Sequence, residues 1–353
     1  MQRNECARSG PLHSHTDDGA VHASARLDSV RELLRGISHA EQMADLRPST
    51  KSASDGIPID WGSIGPLRLR ARHLADGVYA GAHRSARKGA GVEFGGHRPY
   101  VPGDDLRFFD RRALLRHDRM MIREFETETD RALWLCVDAT ASMAYRSAKA
   151  PAAKLAYGAL VGAALARVAL SSGDPVGLGW VGGRGAMALP AMGGGEAFDR
   201  VVGALESITA AGDAKAEEAA MERALSPIAR RAKRGSIIVF ISDLVDLPEQ
   251  ALQAFTALGT NGRKLVVVRV LDPMEVSFGF TGNVRLRAME GNAVVETNAD
   301  EVRATYQARL HAIADRYAEE LTRRGGRFVD TSTDKPADEA VRAVVRAVSE
   351  ARA

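Results

Sequence analysis

From residue 131 onward the chain alternates between two hydrophobic periodicities. Short runs in which every position is apolar occur in "RALWLCVDATASMAY" (Leu133 to Val137), "GSIIVFISDL" and "KLVVVRVLD". They are too short for helices and rich in bulky or β-branched residues, so they read as buried strands. Between them apolar positions recur every three or four residues. Ala152, Leu155, Ala156, Ala159, Leu160, Ala163 and Ala164 form one helical stripe. Val302, Tyr306, Leu310, Ile313, Tyr317 and Leu321 form another on a long helix predicted over 300–324. "EAFDRVVGALESI", 215–232, "PEQALQAFTALGT" and the end of the chain read as further helices. "DPVGLGWV" and "AMALP" form a hairpin at a sheet edge around a Gly-Gly-Arg-Gly turn. "VRLRAM" and "AVVETN" pair around Glu290-Gly291-Asn292. Apolar strands alternating with amphipathic helices predict an α/β fold, with a mainly parallel, Rossmann-like sheet and helices on both faces.

Upstream of 130 the pattern weakens. Residues 1–57 mix Ser, His, Asp, Ala and Gly with one short amphipathic piece at 27–37, and are expected to be a mobile tail. Residues 58–129 form a smaller Gly/Arg-rich segment, and within it 64–123 carries 13 Lys/Arg against 6 Asp/Glu. Phe94, Tyr100, Phe108 and Phe109 need burial, so this segment is expected to pack on the main domain, 130–353.

Composition adds little to this picture. Of 353 residues, 45% are hydrophobic and 26% charged, the balance of an ordinary folded protein, and the net charge of +3 points to no class of partner. The apolar run Ala159–Leu170 is broken by Arg167 and falls short of a membrane span. Cys6 and Cys136 make no disulfide framework, and no apolar leader segment opens the chain. A cytoplasmic location is expected. No HExxH pattern, Walker loop, Gly-x-Ser-x-Gly elbow or Cys/His pair is present.

The candidate chemistry lies at the strand ends. Asp138, Thr140 and Ser142 follow the first apolar run at i, i+2 and i+4, and Asp243 ends the second. In a parallel sheet both ends fall at the carboxyl edge, where ligands bind. An Asp-x-Thr-x-Ser turn presents oxygens to one side, as a hard divalent cation requires. The alternative is that Asp138 or Ser142 caps the following helix and Asp243 the next.

"DATASM" with "ISDL" a hundred residues later resembles the metal-ion-dependent adhesion site of von Willebrand factor A domains. "GAHRSARKGAGVEFGGHRPYVPGDDLRFFD" followed by "REFETETDRALWLCVDATASM" resembles the bacterial domain of unknown function 58 family, over roughly Ile64 to Thr333. The resemblance implies a von Willebrand A-like fold and a Mg2+ or Mn2+ ion on Asp138, Thr140, Ser142 and Asp243. It also implies a MoxR-type AAA+ ATPase as partner in chaperone-like maturation of a client. This sequence departs from the pattern in three places. Thr140 replaces a serine, Asp110-Arg111 replaces Asp-Trp, and the second metal loop, "TAAGDAKAEEA", has no well-placed threonine. Asp213 and Lys215 stand near that position, and a lysine there is able to replace the cation. The function expected is therefore a non-enzymatic protein-interaction module. The alternatives are a metal-dependent phosphoesterase and nucleic-acid binding through 64–123. The first lacks a second carboxylate at i+2, and the second has acidic residues interleaved with its arginines.

Overall fold

The computed structural model describes residues 39–41, 56–81, 93–100, 120–126, 131–186, 188–214, 218–245, 247–248, 250–290 and 294–351. In chain order the elements are β1 (His39–Glu41), β2 (Ile57–Pro58), α1 (Leu67–Gly81), β3 (Glu93–Pro99), β4 (Met121–Glu126) and β5 (Leu133–Ala139). A 3-10 turn (Ala141–Ala144), α2 (Lys154–Ser171), β6 (Val176–Gly182), β7 (Leu189–Met192), α3 (Ala197–Ser207) and β8 (Thr209–Ala210) follow. Then come α4 (Glu218–Arg231), β9 (Ile237–Ser242), α5 (Ala251–Leu258), β10 (Lys264–Leu271) and α6 (Pro273–Ser277). The chain closes with β11 (Asn283–Arg287), β12 (Val294–Asn298), α7 (Ala299–Arg323), β13 (Arg327–Ser332) and α8 (Ala337–Glu350).

The central sheet has the order β13-β10-β9-β5-β6-β7. Neighbouring strands are parallel except β7, which turns back antiparallel on β6 at the edge. This is the α/β fold expected from the alternation of apolar strands and helices. Side chains leave a strand on alternate faces, and each face of this sheet has its own helical layer. Leu133, Leu135 and Val137 point with Val239, Ile241, Val266 and Val268 into a core shared with α1, α2, α3 and α8. Trp134, Cys136, Ile238, Phe240, Leu265 and Val267 point the other way, toward α4, α5 and α7. Apolar runs were needed because both faces are covered; each such side chain contributes about 1.5–3 kcal/mol when fully buried.

Helix α2 lies close over β9. A Cβ at Gly158 would come 3.0 Å from Cγ2 of Ile241, so the small residues of the helical stripe set the distance between layers. That approach brings the first residue of α2, Lys154, to the carboxyl end of β9.

Two points correct the expectation of a mobile tail through residue 57. Residues 39–41 pair antiparallel with β11, adding a third strand to the β11–β12 hairpin, and Ile57–Pro58 pair with β8. Backbone groups on a strand edge accept a partner without demanding a side-chain pattern, so the polar tail gave no sign of it. In the basic segment, α1 buries Leu67, Ala71, Ala75 and Val78, three of them in the core against α2. Tyr100 is half-buried; the side chains of Phe94, Phe108 and Phe109 lie outside the described residues.

Candidate functional site

Strands β5 and β9 are neighbours, with Val137 opposite Ile241. Their next residues, Asp138 and Ser242, therefore stand side by side at the carboxyl edge. The Ser242 hydroxyl donates to Oδ2 of Asp138 at 2.6 Å, and the Thr140 N–H donates to Oδ1 at 2.9 Å. These bonds fix the carboxylate. Thr140 Oγ1 and Ser142 Oγ lie 3.1 Å apart, and the Ser142 N–H donates to Oε1 of Glu290 at 3.1 Å. Asp138, Thr140, Ser142 and Asp243 all come together, and all four are buried.

The turn after β9 is held tightly. Leu244 is buried with φ of 60°, a left-handed conformation uncommon for a leucine. Its N–H donates to the Ser242 hydroxyl at 3.0 Å, and the Val245 N–H donates to Oδ1 of Asp243 at 3.1 Å. Side-chain bonds to the following backbone compensate the strain and set where Asp243 points.

The other oxygen of Asp243 accepts from a lysine. Lys154, only 1% exposed, donates from Nζ to Asp243 Oδ2 at 2.7 Å and to Glu275 Oε1 at 2.6 Å. Glu275 also accepts the Asp272 N–H at 2.8 Å, while Asp272 accepts from the backbone of Met274 and Ser147. One ammonium thus ties together the start of α2, the end of β9 and helix α6.

Five buried carboxylates, Asp138, Asp243, Asp272, Glu275 and Glu290, meet at this edge with one buried ammonium. Burial, joined by the charge of Asp243, pushes Asp138 up to about 6, against the hydrogen bonds from Ser242 and Thr140. Burial also works to raise Asp243, but the Lys154 ammonium overcomes it and holds that carboxyl below its ordinary value. Glu275 is raised, with burial outweighing Lys154. Lys154 itself is raised despite burial, because both carboxylates favour its charged form.

Helix capping explains neither of the predicted acids. The first cap position of α2 is Ala153 and that of α5 is Gln250. Capping does explain the third strand-end aspartate, Asp272, which forms a capping box with Glu275 on α6. Lys215 lies outside the described residues, and Asp213 borders a neighbouring groove. Sequence reasoning missed Lys154, Glu275, Ser242 and Glu290. Lys154 carried a signal: a cation in the first turn of a helix opposes the macrodipole, so an isolated lysine opening an apolar helix calls for an acidic partner.

Among the described residues no three His, Cys, Asp or Glu side chains are grouped to hold a metal ion. The donor set is instead one carboxylate with two hydroxyls, beside a second carboxylate shared with Lys154. It suits a hard cation. The 3.1 Å between Thr140 Oγ1 and Ser142 Oγ matches the roughly 3 Å between adjacent ligands of an octahedral ion with bonds of about 2.0–2.1 Å.

Among solved structures, the chain is similar to an aerotolerance-related membrane protein from Bacteroides fragilis, at 16% identity and a TM-score of 0.37, covering 62% of this chain and 98% of that one. It is also similar to a von Willebrand factor type A protein from Catenulispora acidiphila, at 12% identity and a TM-score of 0.32, covering 64% and 43%. The cytoplasmic location expected from the sequence is corrected here. The first of these structures is called a membrane protein, and helix α2 is long and apolar enough to cross a membrane by length and composition, although 78% of it is buried in this fold. An uncharacterized protein of Mycobacterium bovis is 30% identical over 240 residues, covering 66% of this chain and 72% of the relative; one from Mycobacterium tuberculosis matches equally. The family model described as "Protein of unknown function DUF58" matches residues 96–316, and the chain belongs to that family.

Proposed function

We propose that the chain is a non-enzymatic protein-interaction module that works with a MoxR-type AAA+ ATPase in the assembly or maturation of a client. In this reading Asp138, Thr140 and Ser142 hold a Mg2+ or Mn2+ ion, with Asp243 beside them. The observation that supports it is the convergence of these four side chains, from two neighbouring strands, at the carboxyl edge of the sheet. A bound ion would supply an electrophilic point for a carboxylate of the partner. The chain's own residues do the rest. Ser242 and the Thr140 N–H orient Asp138 toward the hydroxyls, the Leu244 turn fixes Asp243, and Lys154 takes one of its oxygens.

The rival readings find less support. A phosphoesterase would want a second carboxylate two residues after Asp138, and Thr140 stands there. In the described part of the basic segment, Arg68 and Arg72 reach Asp199 at 3.2 and 3.8 Å, and Arg70 donates to the Ser63 carbonyl. Those arginines are exposed but already engaged by acceptors of their own fold.

Calorimetric titration with Mg2+ and Mn2+ tests the reading, together with capture of partners from the native host with and without chelator. Wild type is expected to bind one ion and Asp138→Ala none, with the partner released by chelator. Absence of heat in the wild type, with capture insensitive to chelator, would refute the metal bridge and leave a metal-free interaction module.

A further inference from the structure

Beside the candidate site a groove of about 670 Å3 runs between α4 and the β6–β7 hairpin, a volume typical of sites that hold ligands. Trp134 lines its floor, Pro227 and Ile228 one wall. The Trp134 ring is pinned over Gly177, where a Cβ would come within 2.4 Å of Cε3. Trp134 is 4% exposed, and its indole N–H has no hydrogen-bond partner among the described residues. A buried donor left without an acceptor costs about 1–3 kcal/mol, so this floor favours a ligand that brings an acceptor.

The rim adds charge. Arg184 from the hairpin and Arg223 and Arg231 from α4 border the groove, against Asp213 and Glu290. Glu290 already accepts the Ser142 N–H. Arg223 and Arg231 are separated by eight positions on α4, roughly 12 Å along the helix axis. The upper end of the groove, at Gly212 and Glu290, adjoins the candidate site, where the Gly212 carbonyl accepts the Ala141 N–H at 3.1 Å.

We propose that this groove binds a short segment of a partner protein that carries both apolar and acidic side chains. Its apolar side chains lie on Trp134 and Pro227, its carboxylates pair with Arg223 and Arg231, and one of its oxygens accepts the Trp134 N–H. A segment fits better than a small acid because the cationic groups are spread along the groove with apolar surface between them. The inference rests on reading the chain as an interaction module, and gives that partner a second contact beside Asp138, Thr140 and Ser142.

Fluorescence anisotropy of the full chain with a short dye-labelled peptide alternating leucine and glutamate tests it. A peptide with lysine for glutamate is the control, and free octanoate the competitor. The acidic peptide is expected to bind and the basic one not. Arg223→Glu with Arg231→Glu, both at exposed positions, should weaken binding about tenfold or more, and Trp134→Phe about threefold. The assay is run in chelator-treated buffer, so that no ion at the neighbouring site can hold the peptide's carboxylates. Peptide binding that survives while Mg2+ titration gives no heat would sink the metal reading and leave this one standing. Equal binding of both peptides, no binding of either, or indifference to the arginine reversal overturns the proposal. So does displacement by octanoate as effective as by unlabelled peptide, which would make this a small-acid site. If Trp134→Phe fails to fold by circular dichroism, the arginine pair decides.

Discussion

Replacing Lys154 by methionine is expected to destabilise the fold by about 3–5 kcal/mol at neutral pH, the usual result of removing one partner from a buried ion group. Asp243 and Glu275 would be left buried without the ammonium they share at 2.7 and 2.6 Å. At roughly 2–4 °C per kcal/mol for a domain of this size, the melting temperature should fall on the order of 10 °C. Both orphaned carboxyls would bind protons more tightly, so the loss should shrink as pH is lowered toward 5. Adding Asp243→Asn and Glu275→Gln should recover much of it, because a neutral, hydrogen-bonded group avoids the uncompensated charge. A loss below about 1 kcal/mol in thermal and urea unfolding would mean that water reaches these carboxylates and that the ammonium contributes little.

Asp138→Asn is expected to act in the opposite direction. The carboxyl is raised from 3.8 to about 6, chiefly by burial and then by Asp243. Above pH 6 the folded and unfolded chains are both ionised at this position, and the fold bears the whole cost of the buried charge, about 3 kcal/mol at 1.36 kcal/mol per unit. As pH falls from 6 toward 4 the folded chain takes up the proton first, and the cost disappears. In chelator-treated buffer the asparagine variant should therefore melt several degrees higher than wild type at pH 7.5, with the gap closing by pH 4. Added Mg2+ should stabilise wild type and not the variant, through binding to the native state. A variant less stable than wild type at pH 7.5 without metal would show that the bonds from Ser242 and Thr140 outweigh burial.

Such an acid, costly to the fold and kept at a strand end, was legible from sequence. Asp138 and Asp243 both interrupt apolar runs at positions a parallel sheet brings to one edge, and the period of two in Asp138, Thr140 and Ser142 put their oxygens together. Lys154 was not legible in the same way. It opens an apolar helix, which asks for an acidic partner without naming one, and its partners are 89 and 121 residues distant, so no local spacing links them. Ser242 was hidden because a hydroxyl within an apolar run has no periodic signature; only the pairing of Val137 with Ile241 puts it against Asp138. Strand β4 eluded the pattern because "RMMIREFETET" fits helical and extended periods equally. The strand at 39–41 eluded it because backbone pairing to a free edge leaves no mark on side-chain composition.

The order of the central sheet separates the two candidate contacts by their resistance to opening. Strands β5 and β9 each have a ladder on both sides, while β7 has one partner and four residues. Hydrogen exchange at the root of Asp138 and Asp243 then requires disruption of the most protected part of the molecule. Edge strand β7 is expected to open at lower free energy. One face of the protein is a fixed post and the face next to it a yielding wall, so a partner gripping both would meet rigidity at one end of its segment and accommodation at the other.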